Sequence, residues 1–283
     1  KLSKIHPIYV GLPSFLRNLK QVQGGIQLYY FLWQIKAYFA ARKHHKTTNF
    51  DVFHHITYAN DWMQSFTGAF LPIPYIRGPG GGSHRTPKGL EREYSLSGRL
   101  WERLRRIGQW FFRHDPIYLI GQARAQSILV CIQESVSRMP QQWAGKTQLF
   151  PVNGISDNDF SSPDAKPGQS EIFRVLAAGS LIRVKGFGLT VKSFGKFVGK
   201  YPDSELKIIG SGPEEPRLRK IIGDLNLGSK VKLVPAIPRD QLLSEMAACD
   251  VFLFPSLRDG GGAVVVEAMA AGKPTVCLDT GGP

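Results

Sequence analysis

The chain lacks a long apolar run. Nowhere among its 283 residues do roughly 18 to 20 consecutive apolar side chains occur, the length a spanning helix needs. The nearest stretch, residues 28–40, is interrupted by Gln34 and Lys36. No signal-peptide pattern opens the sequence. Cysteine is scarce as well. Cys131, Cys249 and Cys277 lie far apart, without metal-ligand spacing, in or beside apolar segments. That excludes a disulfide framework and a cysteine zinc site, and it reads as three buried small hydrophobes in a reducing compartment. No strand is followed by G-x-G-x-x-G with an acid about 20 residues on, which argues against a dinucleotide dehydrogenase. No internal repeat or low-complexity tract is present.

What is there is a packed globular composition, 42% hydrophobic and 20% charged, long enough for two domains of roughly 130 to 150 residues. The net charge of +14 is uneven. Residues 1–150 hold 20 Lys and Arg against 7 Asp and Glu, +13, whereas 151–283 hold 16 against 15, +1. A basic half joined to a neutral half implies an anionic surface facing the first, with Arg99, Arg103, Arg105 and Arg106 as its densest cluster. Near an acidic membrane each exposed cation contributes about 1 kcal/mol. The expectation is a cytoplasmic protein in peripheral contact with an anionic membrane at the inner face of the plasma membrane. A nucleic-acid-binding protein is a distant alternative, since the cations mark no known recognition helix.

The carboxyl half alternates strands and helices. Strands are expected at 171–178, 205–210, 230–234, 250–255 and 275–278, with helices at 186–200, 213–225, 238–248 and 262–271 between them. That series predicts a Rossmann-like parallel sheet. The amino half is less regular: helices at 24–45 and 96–112, short strands at 51–57, 73–77 and 127–132, and a GPGGGSHRTP loop. It suits a second, incomplete Rossmann-like domain. Residues 154–168, rich in Pro, Asp, Ser and Gly, read as the linker, giving domains 1–157 and 158–283.

The stretch DVFLFPSLRDGGGAVVVEAMAAGKPTVCLDTGGP (250–283) is the most informative. A buried strand runs into Asp259 and three glycines, then a short apolar helix, then a second strand. This is how an open parallel sheet builds an anion site at the carboxyl edge of its strands. Glycines bare backbone N–H groups for phosphate. Asp259 and Glu267, eight residues apart, can face one crevice and accept hydrogen bonds from hydroxyls. Phosphate donors beside hydroxyl acceptors suit a nucleotide sugar. Upstream, AAGSLIRVKGF (177–187) follows a strand and opens a helix, so that Lys185 can set its ammonium against a diphosphate.

These motifs resemble the retaining family 4 glycosyltransferases, whose signature reads EGFG, then a second Glu in an EAMAxGxPVV context. Ser256, Asp259, Gly260, Gly262, Glu267, Ala268, Gly272, Pro274 and Gly281–Gly282 match in order. The first acid is Asp rather than Glu, and the usual Phe is Gly261. Residues 177–187 resemble the family's GRLxxxKG: Lys185 matches the lysine, the arginine position is Ser180, and Arg183 can compensate. IGSGP (209–213), with Gly212, resembles the VGxGP turn.

The resemblance implies a GT-B fold, two Rossmann-like domains with parallel sheets facing across a cleft. It implies transfer of a sugar from a nucleotide diphosphate to a glycan or lipid-linked acceptor with retention. Asp259, Glu267 and Lys185 are the expected catalytic residues. Arg183, Ser180, Gly212, Ser256, Gly260, Gly261, Gly262 and Ala263 are expected to hold the donor. On the acceptor side Gly80, Gly81, Gly82 and His54 are the candidates, His54 serving equally well as a structural histidine. His84 stands several residues beyond the family's usual histidine position. No Asp-x-Asp occurs in the loop context of a metal clamp, so neither metal nor cofactor is expected. A nucleotide-sugar epimerase or phosphorylase of the same fold is the alternative. The resemblance further implies a fragment lacking both ends of such an enzyme.

Overall fold

A computed structural model describes residues 5–22, 24–56, 60–154 and 171–281. The expected linker, Gly154 apart, lies outside these, as does Gly282. The chain groups into two compact units. One comprises Lys1–Ser83, Arg106–Val130 and Ser135–Phe150; the other His84–Arg105, Cys131–Glu134 and Pro151–Pro283.

In the first unit, helix α1 (Gly25–Thr48) is followed by β1 (Phe53–His55), α2 (Phe66–Phe70) and β2 (Tyr75–Gly80). Then come α3 (Leu96–Arg113), α4 (Pro116–Arg124), β3 (Ala125–Val130), α5 (Gln133–Ser137), α6 (Gln141–Ala144) and β4 (Thr147–Leu149). Helix α3 begins in the second unit and ends in the first. The strands form a four-stranded sheet in the order β1-β2-β3-β4, every pair parallel. Tyr75, Ala125, Ile128 and Val130 form its buried centre, with Phe53, Val136, Met139 and Trp143 packed around them. Helix α4 was not expected, though Asp115 caps it through the amide of Ile117 at 2.8 Å and Pro116 stands at its first position. Strand β3 starts two residues before the expected 127, because Tyr75 pairs with Ala125 and α4 runs straight into the strand.

The second unit carries β5 (Phe173–Ala178), α7 (Phe187–Val198), β6 (Ser204–Ile209), α8 (Glu215–Asp224) and β7 (Val231–Val234). It continues through α9 (Arg239–Ala248), β8 (Val251–Phe254), α10 (Ala263–Ala270) and β9 (Thr275–Cys277). The five strands are parallel in the order β7-β6-β5-β8-β9. Two-sided burial explains the apolar runs Val-Leu-Ala-Ala of β5 and Val-Phe-Leu-Phe of β8 at the middle of the sheet. One core sets α7 and α8 against the sheet through Phe187, Val191, Phe194, Leu218 and Ile222; the other sets α9 and α10 there through Met246, Val265 and Ala268. From β5 the chain moves outward on one side to β6 and β7, then returns to β8 on the other. That reversal between β5 and β8 is the place where such sheets open a crevice at their carboxyl ends.

The cysteines depart from expectation in part. Cys249 is buried and Cys131 half-buried, but Cys277 is exposed, because β9 is the edge strand of its sheet and Cys277 ends it.

Candidate functional site

The two loops at the reversal point carry the candidate residues. After β5, Arg183–Lys185 form a single turn of 3-10 helix closed by Gly186 in the left-handed region (φ 70°). A Cβ on Gly186 would stand 2.1 Å from the carbonyl oxygen of Pro255, so only glycine lets the two loops meet. Several bonds fasten that meeting. The amide of Leu257 donates to the Val184 carbonyl at 2.8 Å, and the hydroxyl of the buried Ser256 donates to the same oxygen at 3.2 Å.

The pinned loops bring Lys185 and Asp259 into direct contact. Lys185 Nζ donates to Asp259 Oδ2, and it lies 5.0 Å from the centre of the Phe254 ring. The other carboxylate oxygen of Asp259 accepts from the amides of Gly261 at 3.1 Å and Gly262 at 3.0 Å, at the start of α10. Partial burial pushes the Asp259 carboxyl up. The hydrogen bond from Lys185 and the two glycine amides outweigh burial and hold it below the usual carboxylate range. The carboxylate thus occupies the amides and the ammonium that suit an anion.

Glu267 is engaged by a different cation. One turn into α10, its Oε1 accepts from Arg239 Nε of α9 at 2.9 Å, its side chain about one fifth exposed. Arg239 was not foreseen. The signal for it was a cation just after the proline that opens the helix following β7, at the same edge of the sheet.

The remaining donor candidates take these places. Ser180 is exposed in the loop after β5, and Arg183 buries an Nε that meets no hydrogen-bond partner. Gly212 lies in the loop after β6, which is tied to the first loop where Leu181 N donates to Ser211 O at 2.9 Å. Gly260 and Gly261 precede Gly262, the cap of α10, and Ala263 is its first residue. The position where the family carries Phe is filled from elsewhere. Asn153 Nδ2 donates to the Gly261 carbonyl, and a Cβ on Gly261 would come within 2.7 Å of Asn153 Oδ1. The loop is also held through Arg258, whose guanidinium reaches both oxygens of the buried Glu102 at 2.7 and 2.8 Å, while Arg105 holds the same carboxylate at 2.9 Å. Arg105 is therefore part of a buried cluster, not of the basic surface expected for it.

In the first unit the glycine loop is anchored by an acid that sequence reasoning passed over. Gly80 ends β2, Gly81 accepts from the Asp61 amide at 2.9 Å, and Gly82 accepts from Gln109 Nε2 at 2.8 Å. The Asp61 carboxylate, 3% exposed, accepts from Ser83 Oγ and, at 3.0 Å, from Ser135 Oγ. Burial pushes its carboxyl up against the pull of Ser83, Arg113, Ser135 and Arg77. His54 lies on the edge strand β1 and donates to the Gly78 carbonyl at 2.6 Å, which ties it to the start of the same loop. His84 falls in the second unit, buried, with an Nδ1 that meets no partner. Among the described residues no group of three or more His, Cys, Asp or Glu is placed to hold a metal ion.

Residues 162–283 match the family model described as Glycosyl transferases group 1. Curated relatives of the chain include an "Uncharacterized glycosyltransferase" of Haemophilus influenzae. It is 31% identical over 137 residues, covering 48% of this chain and 38% of the relative. The "D-inositol 3-phosphate glycosyltransferase" of Pseudarthrobacter chlorophenolicus is 34% identical over 114 residues, 39% of this chain and 27% of the relative. A "GDP-mannose-dependent monoacylated alpha-(1-6)-phosphatidylinositol monomannoside mannosyltransferase" of Corynebacterium glutamicum is 30% identical over 132 residues, 44% and 34%. The chain thus spans well under half the length of these relatives.

Solved structures extend the likeness to both sheets. Anabaena HepE, in complex with UDP and glucose, aligns over 90% of this chain and 64% of its own at a TM-score of 0.57 and 19% identity. WaaG, a glycosyltransferase involved in lipopolysaccharide biosynthesis, aligns over 97% and 68% at 0.57 and 16%. The fold of the chain, α/β with two parallel sheets, is the GT-B fold.

Proposed function

We propose that the chain moves a sugar from a nucleotide diphosphate sugar to a glycan or lipid-linked acceptor, with retention at the anomeric carbon. The observation that carries this reading is the Lys185–Asp259 pair on the glycine amides of α10, at the reversal point of the second sheet. Lys185 has further N–H donors beyond the one given to Asp259, so it can turn them to the donor diphosphate. Asp259 and Glu267 then accept from hydroxyls of the sugar and the ribose, Glu267 exchanging its Arg239 partner. The bond from C1 to the β-phosphate oxygen breaks, and the acceptor oxygen bonds to C1 on the same face. The acceptor proton passes to the departing diphosphate. Lys185, Arg183 and the positive end of the α10 dipole stabilise its charge, with no metal or other cofactor taking part. Relatives support the donor class: one is named GDP-mannose-dependent, and HepE was solved with UDP and glucose.

The acceptor side is assigned to Gly80, Gly81, Gly82 and His54, in a domain of residues 1–157, and the donor to a domain of 158–283. The C. glutamicum relative is named for a phosphatidylinositol acceptor, which favours a lipid-linked one here. Among the described residues no helix is long and apolar enough to cross a membrane. We place the protein in the cytoplasm, in peripheral contact with the anionic inner face of the plasma membrane.

The test is donor binding. Titration calorimetry with a panel of UDP and GDP sugars should identify a donor, and Lys185→Ala should weaken its binding by roughly tenfold or more, the loss of one charge-assisted bond. Unchanged donor affinity in a folded Lys185→Ala variant overturns the site.

A further inference from the structure

Helix α3 is inside out. In water an amphipathic helix turns its apolar stripe to the core and its polar side to solvent. Here Glu102 and Gln109 are 5% and 6% exposed, held by Arg258 and Arg105 and by the Gly82 carbonyl respectively. Leu96, Leu100, Leu104, Ile107 and Phe111, spaced four, four, three and four residues apart on one face, are 82%, 58%, 50%, 63% and 66% exposed. That spacing is the helical period, so the exposed side chains form one continuous stripe. Arg99, Arg103 and Arg106 follow the same spacing along its flank, and the sole carboxylate of α3 is the buried Glu102. At the end of the stripe Trp110, 64% exposed, and Phe111 border an apolar cavity of about 870 Å³ that Leu28, Phe31 and Ile117 also line.

We propose that this face of α3 docks on an anionic phospholipid bilayer, lying in the headgroup layer with its stripe toward the acyl chains. The proposal deepens the membrane contact proposed above and rests on it. An apolar stripe with arginines on its flank and no exposed acid has the pattern of helices that lie along a membrane surface. Guanidinium groups meet lipid phosphates, while leucines and aromatics leave water. The cavity beside Trp110 gives the upper part of an acyl chain an apolar seat. A second copy of the same face is the poorer occupant, because a two-fold pairing would set the flanking arginines of one copy against those of the other.

The experiment is sedimentation of the full chain with phosphatidylcholine vesicles, with and without phosphatidylglycerol, alongside calorimetry with a nucleotide sugar. Two variants are compared: Leu100→Ser with Leu104→Ser and Ile107→Ser on the stripe, and Arg99→Glu with Arg103→Glu on the flank. All five positions are exposed, so both variants should keep the wild-type melting temperature and donor affinity. The wild type should bind the anionic vesicles, each variant roughly tenfold or more weakly, and brominated acyl chains should quench fluorescence that Trp110→Phe removes. Wild-type binding by the stripe variant overturns the docking face while leaving membrane contact standing. Equal binding to neutral and anionic vesicles overturns the choice of lipid. No binding of the wild type to either vesicle overturns both membrane readings, and donor calorimetry then decides the transferase separately. A concentration-dependent dimer abolished by the stripe variant, without vesicle binding, gives the face to a second copy and overturns the proposal.

Discussion

His84 shows how one buried residue records its surroundings. Burial first, then the nearby Arg258, push its ring pKa down to about 4 against the opposing pull of Glu134. His55, hydrogen-bonded to the Tyr30 hydroxyl at 2.6 Å, is pushed down to about 3 by burial and Arg77. Both rings are neutral when folded, and both take up a proton in the unfolded chain once the pH falls below about 6.5. Between that pH and the folded values the unfolded state binds more protons. Stability is therefore flat above about 6.5 and falls below it, by up to about 1.4 kcal/mol per pH unit for each ring. Denaturant unfolding of His84→Gln across pH 4 to 7 should show a shallower acid slope than the wild type; an identical slope contradicts this account. Residues of this kind were the least legible in the sequence. Lys185 stands in one recognisable run, Asp259 and Glu267 in another, and Lys185 and Asp259 meet. Glu102 and Asp61 have no local signature, because each is defined by a partner far along the chain: Glu102 and Arg258 are 156 residues apart.

At the scale of elements, apolar runs made β5 and β8 legible and short apolar segments broken by lysine made β6 and β7 so, and the helices between them followed from Gly and Pro punctuation. Strand β4, Thr-Gln-Leu on the edge of the first sheet, has no apolar run and was invisible. The glycine loop after β2 was legible as a loop but not as a fixed one. Its anchor is Asp61, which joins Ser83, Ser135 and the loop backbone. Replacing Asp61 by Ala leaves the buried Arg77 and the half-buried Arg113 without a nearby acid and two hydroxyls without an acceptor. The expected loss is about 3–5 kcal/mol, seen as a lowered melting temperature. Asp61→Asn, which keeps an acceptor and gives up only the charge, should fall between. A melting temperature unchanged in Asp61→Ala refutes the anchor.

For the whole molecule the unequal charge is the plainest signal in the sequence, and the structure sorts the cations that produce it. Arg77 and Arg105 are spent on buried partners, whereas Arg99 and Arg103 face solvent. Solvent-facing charges lose their reach within about 8 Å at physiological ionic strength, and partly buried ones are screened much less. Raising the salt should therefore strip the chain from anionic vesicles while leaving donor affinity at the Lys185 site nearly unchanged. Parallel salt titrations by sedimentation and calorimetry check this, and equal sensitivity of the two refutes it.

The contact between Lys185 and Asp259 has one more consequence. Because the ammonium is already matched by a carboxylate, a stray phosphate gains less there than it would from a bare lysine. Under the proposed function the spare N–H donors of Lys185 meet pyrophosphate while Asp259 meets an alcohol. A ligand that carries both groups then engages each member of the pair, and that coincidence becomes the basis of selection.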